Sequence, residues 1–328
     1  MAEEAAVSLA SIAMSAHLPI KEFEKQYKEH LSGFNEWNQK EHAEKWTLYP
    51  QNIGKRLSID ETAVTKDELY TLLTNKDGHG GKGSLVATIE GTKTADVVRV
   101  LERIPLKERE QVEEVTLDMS NAMDAIIRTS FPNASIVTDR FHVSQLVSEA
   151  AQEIRMTARR VALKEENAAI LLARKEKRVY VPTVYENGDT KKQLLARSFY
   201  ALFKAMSTWT DRQKQRMDIL FKEFPEIQHA YNLSMMFRGW YETKMTKEEA
   251  RKKLQRWYEK VEQENIESFL VVAESIKLHE DTILNYFNHR STNASAESFN
   301  AKLKGFRALV RGVRDVKFFL YRVGKLYG

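Results

Sequence analysis

The order of strand-like and helix-like segments between Arg56 and Phe141 restricts this chain more than any other feature. RLSIDETAV, ELYTLLTN and SLVATIEG alternate or cluster apolar residues over short runs, and the turn-rich KDGHGGKG separates the last two. TADVVRVLERIPLKEREQ follows, with Val97, Val98, Leu101 and Ile104 at helical spacing. VEEVTLDMS then reads as a fourth strand, NAMDAIIRTSF as a helix, and ASIVTDRF as a fifth strand after the Pro132-Asn133 turn. Three strands joined by hairpins, then two added through helical crossovers, require a sheet that begins antiparallel and continues parallel. A mixed α/β sheet is the economical solution.

After His142 the strands stop. From Ser144 to Asn288 the chain reads as helices, broken once at VYVPTVYENGDT by Pro182 and Asn187-Gly188, and the tail from Ser295 adds one or two more. The first 50 residues read as a polar helical lead-in.

Among 328 residues there is no cysteine, which excludes disulfides, thiolate metal sites and cysteine nucleophiles. No apolar run approaches the roughly 20 residues of a membrane helix, and the N-terminus lacks a basic secretory region, so no membrane partner and a cytoplasmic location are expected. The net charge of +5 conceals a division: residues 1–150 carry 17 Lys and Arg against 24 Asp and Glu, the remainder 34 against 22. A basic second half suits a polyanion, and carboxylates in the first half suit chemistry, although two ordinary solvated surfaces would give the same count.

Carboxylates on strands narrow this further, because strand interiors are depleted in Asp and an unpaired buried charge is costly. Asp60 lies within the first of these strands, Asp118 ends the fourth and Asp139 ends the fifth. If the first and fourth are neighbours, Asp60 and Asp118 meet at one sheet edge, where Mg²⁺ or Mn²⁺ would relieve their repulsion. Strand-end Asp also serves simply as a helix cap. Near the C-terminus, Asn293 or Ser295 can cap a helix carrying Glu297 early. Steps of three and four from Glu297 reach Asn300, Lys304, Arg307, Arg311 and Arg314, beside an apolar stripe of Phe299, Leu303, Phe306, Val310 and Val313. One carboxylate followed by regularly spaced bases suits a phosphodiester leaving a metal centre, and a solvated basic face would look the same.

LSIDET, VTLDMSNAM, FPNASIVTDRFHV and RSTNASAESFNAKLKGFR, in this order, resemble the catalytic core of DDE transposases of bacterial insertion sequences, in the group whose type element came from lactobacilli. The resemblance runs from about residue 45 to the C-terminus and rests chiefly on DRFHV joined to a late E-x-x-N-x-x-x-K. It implies an RNase H-like mixed sheet with a large all-helical insertion before the last catalytic helix. The corresponding divisions are a lead-in over 1–50, a core over 51–143 and 289–328, and an insertion over 144–288. It further implies Asp60, Asp118 and Glu297 as the catalytic, metal-holding triad, with Asp139 and His142 as supporting residues beside it.

Two Mg²⁺ (or Mn²⁺) ions about 3.5–4 Å apart would serve strand cleavage and 3′-OH strand transfer. Arg290, Asn300, Lys304, Arg307, Arg311 and Arg314 would contact DNA, both the element's ends and the target. Relatives carry an N-terminal zinc-binding and helix-turn-helix region with no counterpart here. Either the chain is truncated or a separately encoded small protein recognises the ends, the second being the expectation, and pairing two ends implies a homodimer or larger assembly. A structure-specific nuclease and a non-cutting DNA-binding derivative are the competing readings.

Other features take plainer readings. GHGGKGS lacks the first glycine of a phosphate-binding loop and reads as a hairpin turn. Trp209, Trp240 and Trp257 read as helix-packing core rather than base-stacking platforms.

Overall fold

The computed structural model describes residues 5–65 and 68–328; residues 1–4 of the expected lead-in lie outside the described residues. The chain divides into two compact units, residues 1–139 with 289–328, and residues 140–288.

The first unit is built on a six-stranded sheet in the order β1-β4-β3-β2-β5-β6. The strands are β1 (Trp46–Leu48), β2 (Arg56–Ala63), β3 (Leu69–Asn75), β4 (Leu85–Glu90), β5 (Glu114–Leu117) and β6 (Ser135–Thr138). The β1/β4, β4/β3 and β3/β2 pairs are antiparallel, and β2/β5 and β5/β6 are parallel. This is the mixed sheet expected from the segment order, consistent with an RNase H-like fold. β1 is an addition: three residues among the polar helical lead-in carry too short a pattern to read.

Helices α1 (Leu9–Ser15) and α2 (Ile20–Gln26) precede the sheet. The crossovers are α3 (Thr94–Leu101) with α4 (Leu106–Arg109), then α5 (Asn121–Ser130). Val97, Val100 and Leu101 of α3 and Met123, Ile126 and Ile127 of α5 pack on Leu57, Ile59, Leu73, Val115, Leu117 and Ile136 of the sheet. The opposite face is covered from the C-terminus by α14 (Ala294–Leu309) and α15 (Val316–Tyr327). There Phe299, Leu303, Phe306, Phe319, Leu320 and Val323 meet Tyr70, Leu72 and Leu85. Alternate strand residues therefore serve two different cores, which pins the register. The lead-in belongs to this unit: Lys28 pairs with Asp315 at 2.5 Å, and Arg322 donates to the Val7 carbonyl at 2.9 Å.

The second unit is helical: α6 (Arg140–Lys175), α7 (Lys191–Arg197), α8 (Asp211–Glu223), α9 (Pro225–Glu242), α10 (Lys247–Glu264), α11 (Glu267–Leu278), α12 (Glu280–Leu284) and α13 (Tyr286–His289). Thr190, Thr210 and Thr246 begin α7, α8 and α10 with reciprocal capping boxes. Trp209, Trp240 and Trp257 are buried, and their indole N–H groups donate to the carbonyls of Ala201, Ala250 and Leu233 at 2.9, 2.9 and 3.0 Å. Their rings are core, as expected, with no face offered to a base.

Candidate active site

β2, β5 and β6 lie side by side and run in one direction, so their carboxyl ends form a common rim, where ligands gather in open parallel sheets. The β2/β5 register pairs Ser58 with Thr116; carried two residues further, it sets Asp60 beside Asp118. The β5/β6 register pairs Leu117 with Thr138, so Asp139 follows beside Asp118, and the Asp139 N–H donates to the Leu117 carbonyl at 2.8 Å. Asp60 is also opposite Leu72, a member of the core under α14 and α15, which identifies its face. Leu117 and Ile136 belong to the other core, so the alternation turns Asp118 and Asp139 to the same face as Asp60. Three acids thus line one rim below the final helices.

α14 packs on β2 and brings the fourth acid. Its Asn300 amide nitrogen donates to Asp60 Oδ2 at 2.5 Å, and Asp60 Oδ1 accepts from the Glu61 N–H at 2.8 Å. Glu297 sits one turn before Asn300 and is exposed. At the helix start, the Asn293 N–H donates to Asp139 Oδ1 at 3.2 Å, and the Asn293 carbonyl accepts from the Glu297 N–H at 3.0 Å. A carboxylate oxygen of Asp139 lies within 4.8 Å of one of Glu297. Among the described residues, Asp60, Asp118 and Glu297 do not close to a cluster with all ligand atoms within 4.8 Å of one another.

The electrostatics follow from this crowding. Burial, and then the negative charge of Asp118, hold the Glu61 carboxyl above its ordinary value. Capping does not account for Asp118: it is Ser120 that caps α5, its hydroxyl accepting from the Met123 N–H. The carboxylate oxygens gathered here are hard donors of the kind that divalent cations such as Mg²⁺ and Mn²⁺ favour.

The basic residues divide differently from the sequence expectation. α14 ends at Leu309, where Arg311 (φ 56°) and Gly312 (φ 93°) adopt the left-handed conformation and the Gly312 N–H returns to the Arg307 carbonyl at 3.0 Å. Arg311 and Arg314 therefore do not continue the face of Glu297; both are exposed in the turn before α15. Lys304 is exposed on the helix. Arg307 is half-buried and donates to the carbonyls of Ala63 and Thr65 at 2.9 and 3.3 Å, holding the end of β2. Asn300 is buried and engaged with Asp60 rather than facing outward. Arg290 is half-buried with φ 55°. His142 lies in the first turn of α6, in the second unit. GHGGKGS forms the turn between β3 and β4, with His79, Gly80 and Gly83 at positive φ.

Two residues near the rim were not picked out as site residues from the sequence. Asn293 was read only as a cap, yet no side-chain capping bond forms. Lys76 reaches from the turn after β3 to Thr116 Oγ1 at 2.7 Å and Glu114 Oε1 at 3.3 Å, on β5, the strand just before Asp118. Burial pushes its pKa down, with Glu114 opposing. Nothing local marks that lysine, because the contact is made only by folding.

The chain matches the transposase family of the DDE, ISL3 type over residues 57–323. It is 25% identical over 267 residues to the transposase for insertion sequence element IS1557 of Mycobacterium tuberculosis, covering 80% of this chain and 57% of the relative. It is 23% identical over 270 residues to the transposase for IS1001 of Bordetella parapertussis, covering 81% and 59%. The chain thus spans less than two thirds of the length of these curated relatives. No solved structure matches it. With a family match across most of its length and strand-end acids on a mixed sheet, the chain belongs to the ISL3-type DDE transposases.

Proposed function

We propose that this chain carries the catalytic core of an insertion-sequence transposase, cleaving DNA at the element's ends and joining the freed 3′-OH to target DNA. The observation that supports the reading is the Asn300–Asp60 hydrogen bond, which ties the helix bearing Glu297 to the strand bearing Asp60. Asp60, Asp118 and Glu297 would hold two Mg²⁺ or Mn²⁺ ions. Bound there, the ions supply Lewis acidity to the phosphoryl group and lower the pKa of water.

The protein's own part is positional. β2 and the end of β5 would hold Asp60 and Asp118, and the first turn of α14 would supply Glu297. In cleavage a water oxygen bonds to phosphorus and the bond from phosphorus to the 3′ oxygen breaks. That oxygen leaves as a 3′-OH, and the phosphate remains on the 5′ end of the next nucleotide. The 3′-OH then attacks a target phosphodiester in the same manner, so no covalent enzyme–DNA intermediate is required. Lys304, Arg311 and Arg314, all exposed, are the cations that would contact phosphates, with Arg290 nearer the start of α14. Asp139 would support Glu297. Recognition of the ends by a separate small protein, and assembly as a dimer or larger on DNA, complete the proposal.

The test is metal-dependent cleavage of duplexes carrying the terminal repeats that flank the gene, with and without any neighbouring small protein. Nicking at the repeat ends that requires Mg²⁺ or Mn²⁺ supports the reading. Cleavage governed by DNA shape rather than by the repeats favours a nuclease, and binding without cleavage a non-cutting derivative.

A further inference from the structure

Asn293 is 1% exposed, and neither its amide oxygen nor its amide nitrogen has a hydrogen-bond partner among the described residues. A buried amide with both ends unpaired is costly, and native proteins keep one only where something else compensates. Its backbone is fully used: the N–H holds Asp139 at 3.2 Å and the carbonyl holds the Glu297 N–H at 3.0 Å. The side chain, two carbons long, cannot leave that neighbourhood, so a donor and an acceptor are held beside two carboxylates lying within 4.8 Å of each other. The N-terminus of α14 adds partial positive charge at the same place. Asn is a preferred N-cap residue, yet this one makes no side-chain cap bond.

We propose that the Asn293 amide orients the water that attacks the scissile phosphodiester. Water accepts from Nδ2 and donates to Oδ1, satisfying both orphaned atoms at once, and the neighbouring carboxylates complete its surroundings. The water oxygen forms the new bond to phosphorus as the 3′ oxygen departs. One water proton goes to that oxygen, and the other remains on the new 5′-phosphate until it ionises into solvent. Strand transfer uses a DNA 3′-OH instead of water and does not need this amide.

This rests on the transposase reading, and the experiment separates the two. Wild type, Asn293→Leu and Asn293→Ala are compared on intact terminal-repeat duplexes and on duplexes already nicked to present the 3′-OH. Thermal unfolding in EDTA is followed alongside. Cleavage of intact ends is expected to fall by on the order of 10²-fold while transfer from nicked ends changes little. Asn293→Leu in EDTA is expected to unfold at the wild-type temperature or about 2 °C or more above it, because an unpaired amide has been removed. Equal loss of cleavage and transfer would overturn the proposal, as would lowered unfolding temperatures in both variants, which mark a structural amide. Failure of the wild type to cleave or transfer would count against the transposase reading, whereas the EDTA comparison judges Asn293 regardless.

Discussion

Asn300 and Asp60 are 240 residues apart in the chain, and the 2.5 Å hydrogen bond between them joins α14 to β2, a central strand of the sheet. It reconnects the two parts of a unit whose sequence is interrupted by residues 140–288. Asn300→Leu removes the donor and leaves the partly buried Asp60 carboxylate with one fewer partner. A loss of about 1–3 kcal/mol is expected in urea unfolding, with a larger proportional loss of cleavage than of DNA binding.

Arg307 and Arg311 are four residues apart and are expected to behave oppositely. Arg307→Ala gives up both bonds to the end of β2 and should destabilise the first unit by about 1–2 kcal/mol. Arg311→Gly should leave stability unchanged or improved, because φ 56° suits glycine. It should weaken DNA binding without sequence bias, lowering the slope of log affinity against log salt by about 0.9. Fluorescence anisotropy across a salt series, with urea denaturation of both variants, checks the pair.

Lys76 and Glu114 form an ion pair at 3.3 Å, with side chains 12% and 6% exposed. Lys76→Met leaves a buried carboxylate uncompensated and should cost about 3–5 kcal/mol, whereas the double variant with Glu114→Gln should recover much of that loss. A double-mutant cycle in chemical denaturation measures the coupling.

In the second unit, Asp189 is 1% exposed and bonded to Arg216 and Arg197. Burial alone would raise its carboxyl pKa; the hydrogen bonds and charges of the two guanidinium groups override it and hold the value below normal. The sign follows: a depressed carboxyl pKa contributes stability above the unfolded value, and that contribution is lost as pH falls through the folded one. Urea midpoints should therefore drop between about pH 5 and pH 2, and Asp189→Asn should be less stable at neutral pH with a shallower acid dependence.

The sheet was readable because strand and crossover patterns are local: LSIDET, ELYTLLTN and VEEVTLDMS each declare a strand by composition and period. That the strand carrying Asp60 neighbours the one leading to Asp118 was legible from the segment order, and the structure pairs β2 with β5 in parallel. What escaped depended on long-range contacts. Arg311 and Arg314 were assigned to the face of Glu297 by counting along one helix, but the backbone turns at Arg311-Gly312. The roles of Arg307, Asn300 and Lys76 are set by partners 244, 240 and 40 positions away, which no local spacing encodes.

The central claim is that Asp118 and Glu297 act together at the strand rim, and the direct measurement is Mn²⁺-dependent cleavage of terminal-repeat DNA by wild type, Asp118→Asn and Glu297→Gln. The account expects cleavage by wild type alone, with both variants folded, still binding DNA and reduced by at least about 10³-fold. Cleavage surviving in either folded variant would contradict it.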